Sequence, residues 1–167
     1  TFNALLNIAQ AESGQLEADK KDFNLRALVR NMAELYEPVA EEKRMTLTSE
    51  VAPGITVFGN KHLMSQALSN LLDNAVKYSP SGGKLMLVLR LNENRPQLVI
   101  ADSGAGIAEA DRVRVLDRFV RLEASRNSPG SGLGLSLVKA VAQLHCADIE
   151  LEDNLPGLRV VLTFEEQ

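Results

Sequence analysis

Residues 70–80 read NLLDNAVKYSP. The run is apolar, but Asn70 and Asn74 interrupt it and Lys77 and Tyr78 follow. Asparagine is a mediocre helix former because its amide competes for nearby backbone groups. At about 100° per residue, Asn74 lies about 40° and Lys77 about −20° from Asn70 around a helix. Leu68, Leu71, Leu72, Ala75 and Val76 fall roughly 100–240° away. Two amides and a lysine therefore form a narrow polar stripe opposite an apolar face. A solvated helix back would also be polar, but it usually carries Glu, Lys and Arg. An amide oxygen is a neutral hard ligand suited to Mg²⁺, which takes few protein ligands and fills its shell with water and phosphate oxygens. Lys77 could then offset phosphate charge as a point cation.

Two glycine clusters carry further chemistry. DSGAGI (102–107) directly follows the apolar stretch Leu98–Ala101. Alternate glycines let a backbone turn sharply and approach a ligand closely. A carboxylate at a strand end can accept a hydrogen bond from an exocyclic amine. On its own, D-x-G-x-G also suits an ordinary turn. GSGLGLS (130–136) opens the last helical pattern. Free N–H groups at a helix start, with glycines ahead of them, make an anion site; a glycine-rich hinge is the plainer alternative. The run matches neither G-x-x-x-x-G-K-[ST] nor G-x-G-x-x-G.

The elements that must hold these residues are legible from periodicity. Residues 1–13 place Phe2, Leu5, Leu6 and Ala9 on one helical stripe, stopped by Gly14. A second helix over 24–43 has Leu25, Leu28, Val29, Met32, Leu35 and Val39 in phase, with Pro38 as a candidate bend. Strands are expected at 45–51 and 55–58 around a Pro-Gly turn. The asparagine helix spans 61–78 with Asn60 as its N-cap. A hairpin follows over 84–91 and 97–101, joined by NENRP. Residues 102–131 read as loop with one helical stretch near 111–122. A helix over 133–145 and two strands, near 149–152 and 158–164, close the chain. The pattern predicts an α+β fold, with helices on one face of a mixed sheet.

Composition narrows the class. The 167 residues suit one domain that buries roughly 70% of its unfolded surface. Trp is absent and aromatics make up 4%, so the core must be Leu, Val, Ile and Ala. A formal net charge of −4 argues against a general nucleic-acid binder, which needs a basic footprint. Cys146 is alone, so no internal disulfide can form, which fits a reducing compartment. No run approaches a membrane span, and no stretch reads as a signal peptide. The chain starts at Thr1, inside a helical pattern and without Met, and is expected to be a piece of a longer protein.

The order of these pieces resembles the catalytic and ATP-binding domain of bacterial sensor histidine kinases, in the GHKL ATPase superfamily. NLLDNAVKYSP looks like its N box, DSGAGI its G1 box, DRFVR (117–121) its F box and GSGLGLSLV (130–138) its G2 box. The resemblance covers about residues 22–165. It implies a two-layer α/β sandwich of the Bergerat type. A mostly antiparallel mixed sheet would carry three main helices on one face. Residues 1–14 would be the remnant of a dimerisation and phosphotransfer helix, and 15–167 the catalytic domain.

The resemblance also implies roles. Asn74 would ligate Mg²⁺, with Asn70 supporting metal or phosphate, Lys77 contacting phosphate and Tyr78 lying near the nucleotide. Asp102 would bind the adenine amine, Gly104 and Gly106 would let the loop pass the base, and Ile107 would help wall the pocket. Arg118, Phe119 and Arg121 would belong to a lid spanning about 108–131. Gly130, Gly132 and Gly134 would hinge it and bring N–H groups to the phosphates, with Ser131, Leu133 and Leu135 in the same run. The implied cofactors are ATP and Mg²⁺. The implied partners are ATP or ADP, the parent's dimerisation and histidine phosphotransfer domain, and a response regulator, without nucleic acid or membrane contact by this chain. The chain alone would be a monomer and its parent a homodimer. A cytoplasmic location is implied, with an inner-membrane anchor left open for the parent.

Departures from the family pattern are informative. No H-E-x-x-[TP]-P acceptor motif is present, and His62 and His145 read as structural or exposed. Cys146-Ala147 replaces the usual Gly-Gly, and Leu116 stands where an aromatic is frequent in the F box. Hydrolysing relatives carry a Glu general base one turn before the Mg²⁺ asparagine, where this chain has Asn70. Transfer to an imported histidine nitrogen, nucleophilic when neutral, is the expected chemistry, with slow or absent ATP hydrolysis. The alternative is a non-catalytic nucleotide sensor or scaffold on the same fold.

Overall fold

The structure is a computed structural model that describes residues 20–104, 106, 134–154 and 156–166. Strand β1 (Lys21–Asn24) leads into helix α1 (Leu25–Glu42), whose cap is Asn24: its Oδ1 accepts the Ala27 N–H at 3.1 Å. Strands β2 (Thr46–Val51) and β3 (Thr56–Gly59) follow, then helix α2 (Lys61–Tyr78) and strands β4 (Lys84–Asn92) and β5 (Arg95–Asp102). Helix α3 (Gly134–Leu144) and strands β6 (Asp148–Asp153) and β7 (Leu158–Thr163) complete the described elements.

Five strands form one sheet in the order β2-β4-β5-β7-β6. Only β2 runs parallel to its neighbour, with Leu47 opposite Leu85 and Val51 opposite Leu89. The other pairs are antiparallel, and β1 with β3 makes a separate two-stranded ribbon. Alternation along β4 sends Leu85, Leu87 and Leu89 into one core with residues of all three helices. Val88 points the other way and packs with Val99 and Val161. The helices therefore cover one face of a mostly antiparallel mixed sheet, the expected α/β sandwich.

Several expectations are refined. The buried stripe of α1 is Leu25, Leu28, Val29, Met32, Tyr36 and Ala40. Leu35, at 60% exposure, and Val39 lie outside it. Tyr36 takes the core position because its hydroxyl finds partners on α2, as a buried phenol must. The helix continues through Pro38. Strand β1 is an addition, since KDFN has one apolar residue and no alternation to announce it. The hairpin loop is shorter than NENRP: only Glu93 and Asn94 turn, both at positive φ, and Arg95 is already in β5. The expected helices at 1–13 and 111–122 lie outside the described residues. Among the described residues, no helix is long and apolar enough to cross a membrane.

Candidate functional site

Helix α2 is fixed at both ends and along its side. At its start, Asn60 Oδ1 accepts the Leu63 N–H at 3.1 Å. The Asn60 N–H itself donates to His145 Nε2 at 2.9 Å, while His145 Nδ1 lies 2.8 Å from the Val141 carbonyl. A carbonyl only accepts and an amide N–H only donates, so these partners select the neutral ring with its proton on Nδ1. Phe23 and Phe164 meet this ring edge-on, with centroids at 6.3 and 6.5 Å. Gly59 leaves the room: a Cβ there would stand 2.0 Å from His145 Cδ2. His145 is thus a buried structural residue. His62 is exposed, with Nε2 at 3.2 Å from Gln66 Nε2.

At the other end, Lys43 Nζ donates to the Val76 carbonyl at 2.5 Å and the Lys77 carbonyl at 3.3 Å. A cation there complements the negative end of the helix dipole. Midway, the Tyr36 hydroxyl sits 2.7 Å from both Ser69 Oγ and Asp73 Oδ1. Burial, assisted by Asp73 and opposed by Ser69, pushes its pKa up to about 12.

The polar stripe occupies the remaining face. Asn70 and Asn74 are half-buried, and neither side-chain amide has a partner among the described residues. Lys77 is exposed, its Nζ 5.2 Å from the centroid of the Tyr78 ring, itself 43% exposed. Each Asn amide thus presents an oxygen that the described residues leave unused. One such hard donor suits an ion that completes its shell with water and phosphate. No group of three His, Cys, Asp or Glu suited to a metal occurs among the described residues.

The last turn of α2 rests on the D-x-G-x-G loop. A Cβ on Gly104 would stand 2.4 Å from the Tyr78 carbonyl, so only glycine permits this approach. Asn74 lies about 6 Å up the same helix, one turn from Tyr78. Ser103 Oγ accepts the Lys84 N–H at 2.8 Å, tying the loop to the start of β4. Asp102, 8% exposed, ends β5. Its Oδ1 accepts from the Gly104 N–H at 2.9 Å and the Leu158 N–H at 3.2 Å. Its Oδ2 has no partner among the described residues. Burial raises the Asp102 pKa above the ordinary carboxylate value, and the two backbone N–H bonds oppose the rise.

The structure therefore brings Asn74, Lys77, Tyr78, Asp102 and Gly104 around one helix end, with Asn70 one turn above Asn74. Gly106 continues the loop at φ +73°, and Gly134 begins α3 with half-buried Leu135 next. Ile107, Arg118, Phe119, Arg121, Gly130, Ser131, Gly132 and Leu133 lie outside the described residues. Sequence reasoning missed Tyr36, Lys43 and Asn154, which position the site from a distance. No local signal reveals contacts that span 33 to 52 residues of chain.

Residues 59–167 match the family described as histidine kinase-, DNA gyrase B- and HSP90-like ATPase. The chain belongs to this family. This ATPase domain is 35% identical, over 150 residues, to a probable sensor protein, PcoS, of Escherichia coli. That match takes in 89% of the chain but 32% of PcoS, so the chain spans about a third of that relative's length. Among solved structures, the mycobacterial sensor histidine kinase MprB superposes with a TM-score of 0.74 at 29% identity, covering 88% of this chain and all of that one. Full-length ShkA, solved in complex with AMPPNP, gives a TM-score of 0.80 at 25% identity, covering 99% of this chain and 36% of that one.

Proposed function

We propose that this ATPase domain is the ATP–Mg²⁺-binding catalytic module of a two-component sensor histidine kinase. It transfers the γ-phosphoryl group of ATP to a histidine on the parent's dimerisation domain, releasing ADP, and the phosphoryl group passes on to a response regulator. The observation that carries this reading is the junction of α2 with the 102–106 loop. The loop that carries Asp102, whose Oδ2 is open among the described residues, packs through Gly104 on the last turn of the helix that carries Asn70 and Asn74, whose amides have no partner among those residues. The nucleotide complex of ShkA supports a nucleotide as the ligand.

In this reading Asp102 Oδ2 accepts the exocyclic amine of adenine. The Asn74 amide oxygen would hold Mg²⁺ and Asn70 would support the same end of the nucleotide. The bound ion would neutralise phosphate charge. Lys77 adds a cation near the phosphates, and Tyr78 lines the approach. Ile107, Arg118, Phe119, Arg121 and the 130–135 run complete the site as lid and phosphate-binding turn. Asn70 cannot act as a base toward water, so hydrolysis by the domain is slow.

The test is phosphorylation of a separately supplied dimerisation and phosphotransfer bundle of the parent. Radiolabel from γ-labelled ATP should appear on its histidine, and Asn74→Ala should abolish it. ATP binding without any transfer would favour a nucleotide-sensing scaffold instead. Rapid ATP hydrolysis by the domain alone would contradict the role given to Asn70.

A further inference from the structure

The turn between β6 and β7 holds Asp102 from the side opposite α2. The Asn154 side chain donates from Nδ2 to the Asp102 carbonyl at 2.7 Å. The Asn154 N–H donates to the Gly157 carbonyl at 3.1 Å, which closes the turn that presents this amide. The Leu158 N–H, just beyond, reaches Asp102 Oδ1 at 3.2 Å. Gly157 presses on the same peptide: a Cβ there would stand 1.8 Å from the Asp102 carbonyl oxygen. A Cβ on Gly106 would in turn meet the Gly157 carbonyl at 2.7 Å, so the turn spans both ends of the loop.

The ladder explains why a side chain is needed there. Pairing of β5 with β7 ends at Ala101 opposite Arg159, one residue short of Asp102. The Asp102 carbonyl is therefore the first group past the ladder on that side. Asn154 supplies the donor that the next rung would have supplied. Asn154 is itself exposed, so burial in the core does not explain its identity.

We propose that Asn154 is a positioning residue for base selection: by fixing the Asp102 peptide, it aims Asp102 Oδ2 at the place of a base's exocyclic amine. With Oδ1 held by two backbone donors, Oδ2 is the single carboxylate oxygen left to recognise a ligand. A peptide rotation at Asp102 would swing that oxygen off line. The loss falls on bases that donate an amine there and spares bases that carry an oxygen instead. This inference rests on the reading of Asp102 as the acceptor of that amine.

The probes are ADP and inosine diphosphate, which differ by that amine against a carbonyl, titrated calorimetrically with Mg²⁺ into the wild-type domain, Asn154→Ala, Asn154→Asp and Asp102→Asn. Asn154→Asp keeps the size of the side chain but cannot donate when ionised. Loss of one partly buried hydrogen bond corresponds to about a five- to ten-fold change in binding. Both Asn154 variants should weaken ADP by about that factor and inosine diphosphate by less than about two-fold, contracting the preference for ADP. Melting curves near wild type would show that the variants fold. Unchanged preference, or equal weakening of both nucleotides, in both Asn154 variants would overturn the proposal, provided Asp102→Asn erases the preference. If Asp102→Asn leaves the preference intact, or the wild-type domain shows none, the reading of Asp102 itself fails and the proposal falls with it.

Discussion

Replacing Gly59 by Ala tests how α2 is held in place. Gly59 is not among the residues at positive φ, so alanine is conformationally permitted and the cost is steric. The added methyl would stand 2.0 Å from His145 Cδ2 and 2.3 Å from Nε2. The imidazole cannot simply turn aside, because both nitrogens are bonded and two phenyl rings flank it. If it moves, the buried Asn60 N–H loses its acceptor, at about 1–3 kcal/mol. Overpacking adds about 1–3 kcal/mol more. Together these come to about 2–6 kcal/mol, a large share of a typical 5–15 kcal/mol domain stability. At roughly 2–4 °C per kcal/mol for a chain of this size, Tm should fall by about 4–24 °C. Urea unfolding gives the free energy, and a double-mutant cycle with His145→Ala assigns its origin. In the His145→Ala background, Gly59→Ala should cost less than about 0.5 kcal/mol, because the atom it strikes is gone. A wild-type Tm for Gly59→Ala, or additive losses in the double variant, would refute the reasoning.

Helix α3 ends with Cys146 at φ +54°, its N–H donating to the Gln143 carbonyl and the Ala147 N–H to that of Ala142, a Schellman ending that favours glycine. Cys146→Gly should therefore raise stability by about 0.5–1 kcal/mol, read as an upward shift in the urea midpoint. The folded-state pKa of Tyr36 is raised from 10.0 to about 12, so its contribution is intact below pH 10 and is lost as pH rises toward 12. Between those limits wild-type stability should fall more steeply than that of Tyr36→Phe in parallel denaturation series. In the proposed site the carboxylate form of Asp102 accepts the adenine amine, and burial raises its pKa. Adenine-nucleotide affinity should thus weaken as pH drops through that raised pKa, and Asp102→Asn should titrate without this step.

The helix that carries the site was the most legible part of the sequence. Asn60 as N-cap and the apolar phase of 61–78 place both ends of α2, and the same phase sets Asn70 and Asn74 off the core. The strand before DSGAGI was equally plain, since four of the eight residues of β5, Leu98, Val99, Ile100 and Ala101, are apolar in unbroken succession. Tyr36 was hidden because an apolar alphabet favours Leu35 and Val39, whereas the phenol becomes a core residue once Ser69 and Asp73 satisfy its hydroxyl. Strand β1 depends on a partner more than thirty residues away, with Lys21 opposite Gly59. The grip of Asn154 on Asp102 is likewise a product of sheet order: β5 and β7 are neighbours only because the chain returns past α3. His145 gave no sign of its role, since a histidine's tautomer follows from partners brought to it by the fold.

The central claim is that the asparagine stripe and Asp102 form one Mg²⁺-dependent nucleotide site. Calorimetric titration of ATP, then ADP, into the domain with and without Mg²⁺ tests it most directly, with Asn74→Ala and Asp102→Asn alongside. The account expects binding that strengthens with Mg²⁺ in the wild type, loses that dependence in Asn74→Ala, and weakens under both conditions in Asp102→Asn. Absence of binding at millimolar nucleotide, or equal affinity with and without Mg²⁺ in the wild type, would contradict it.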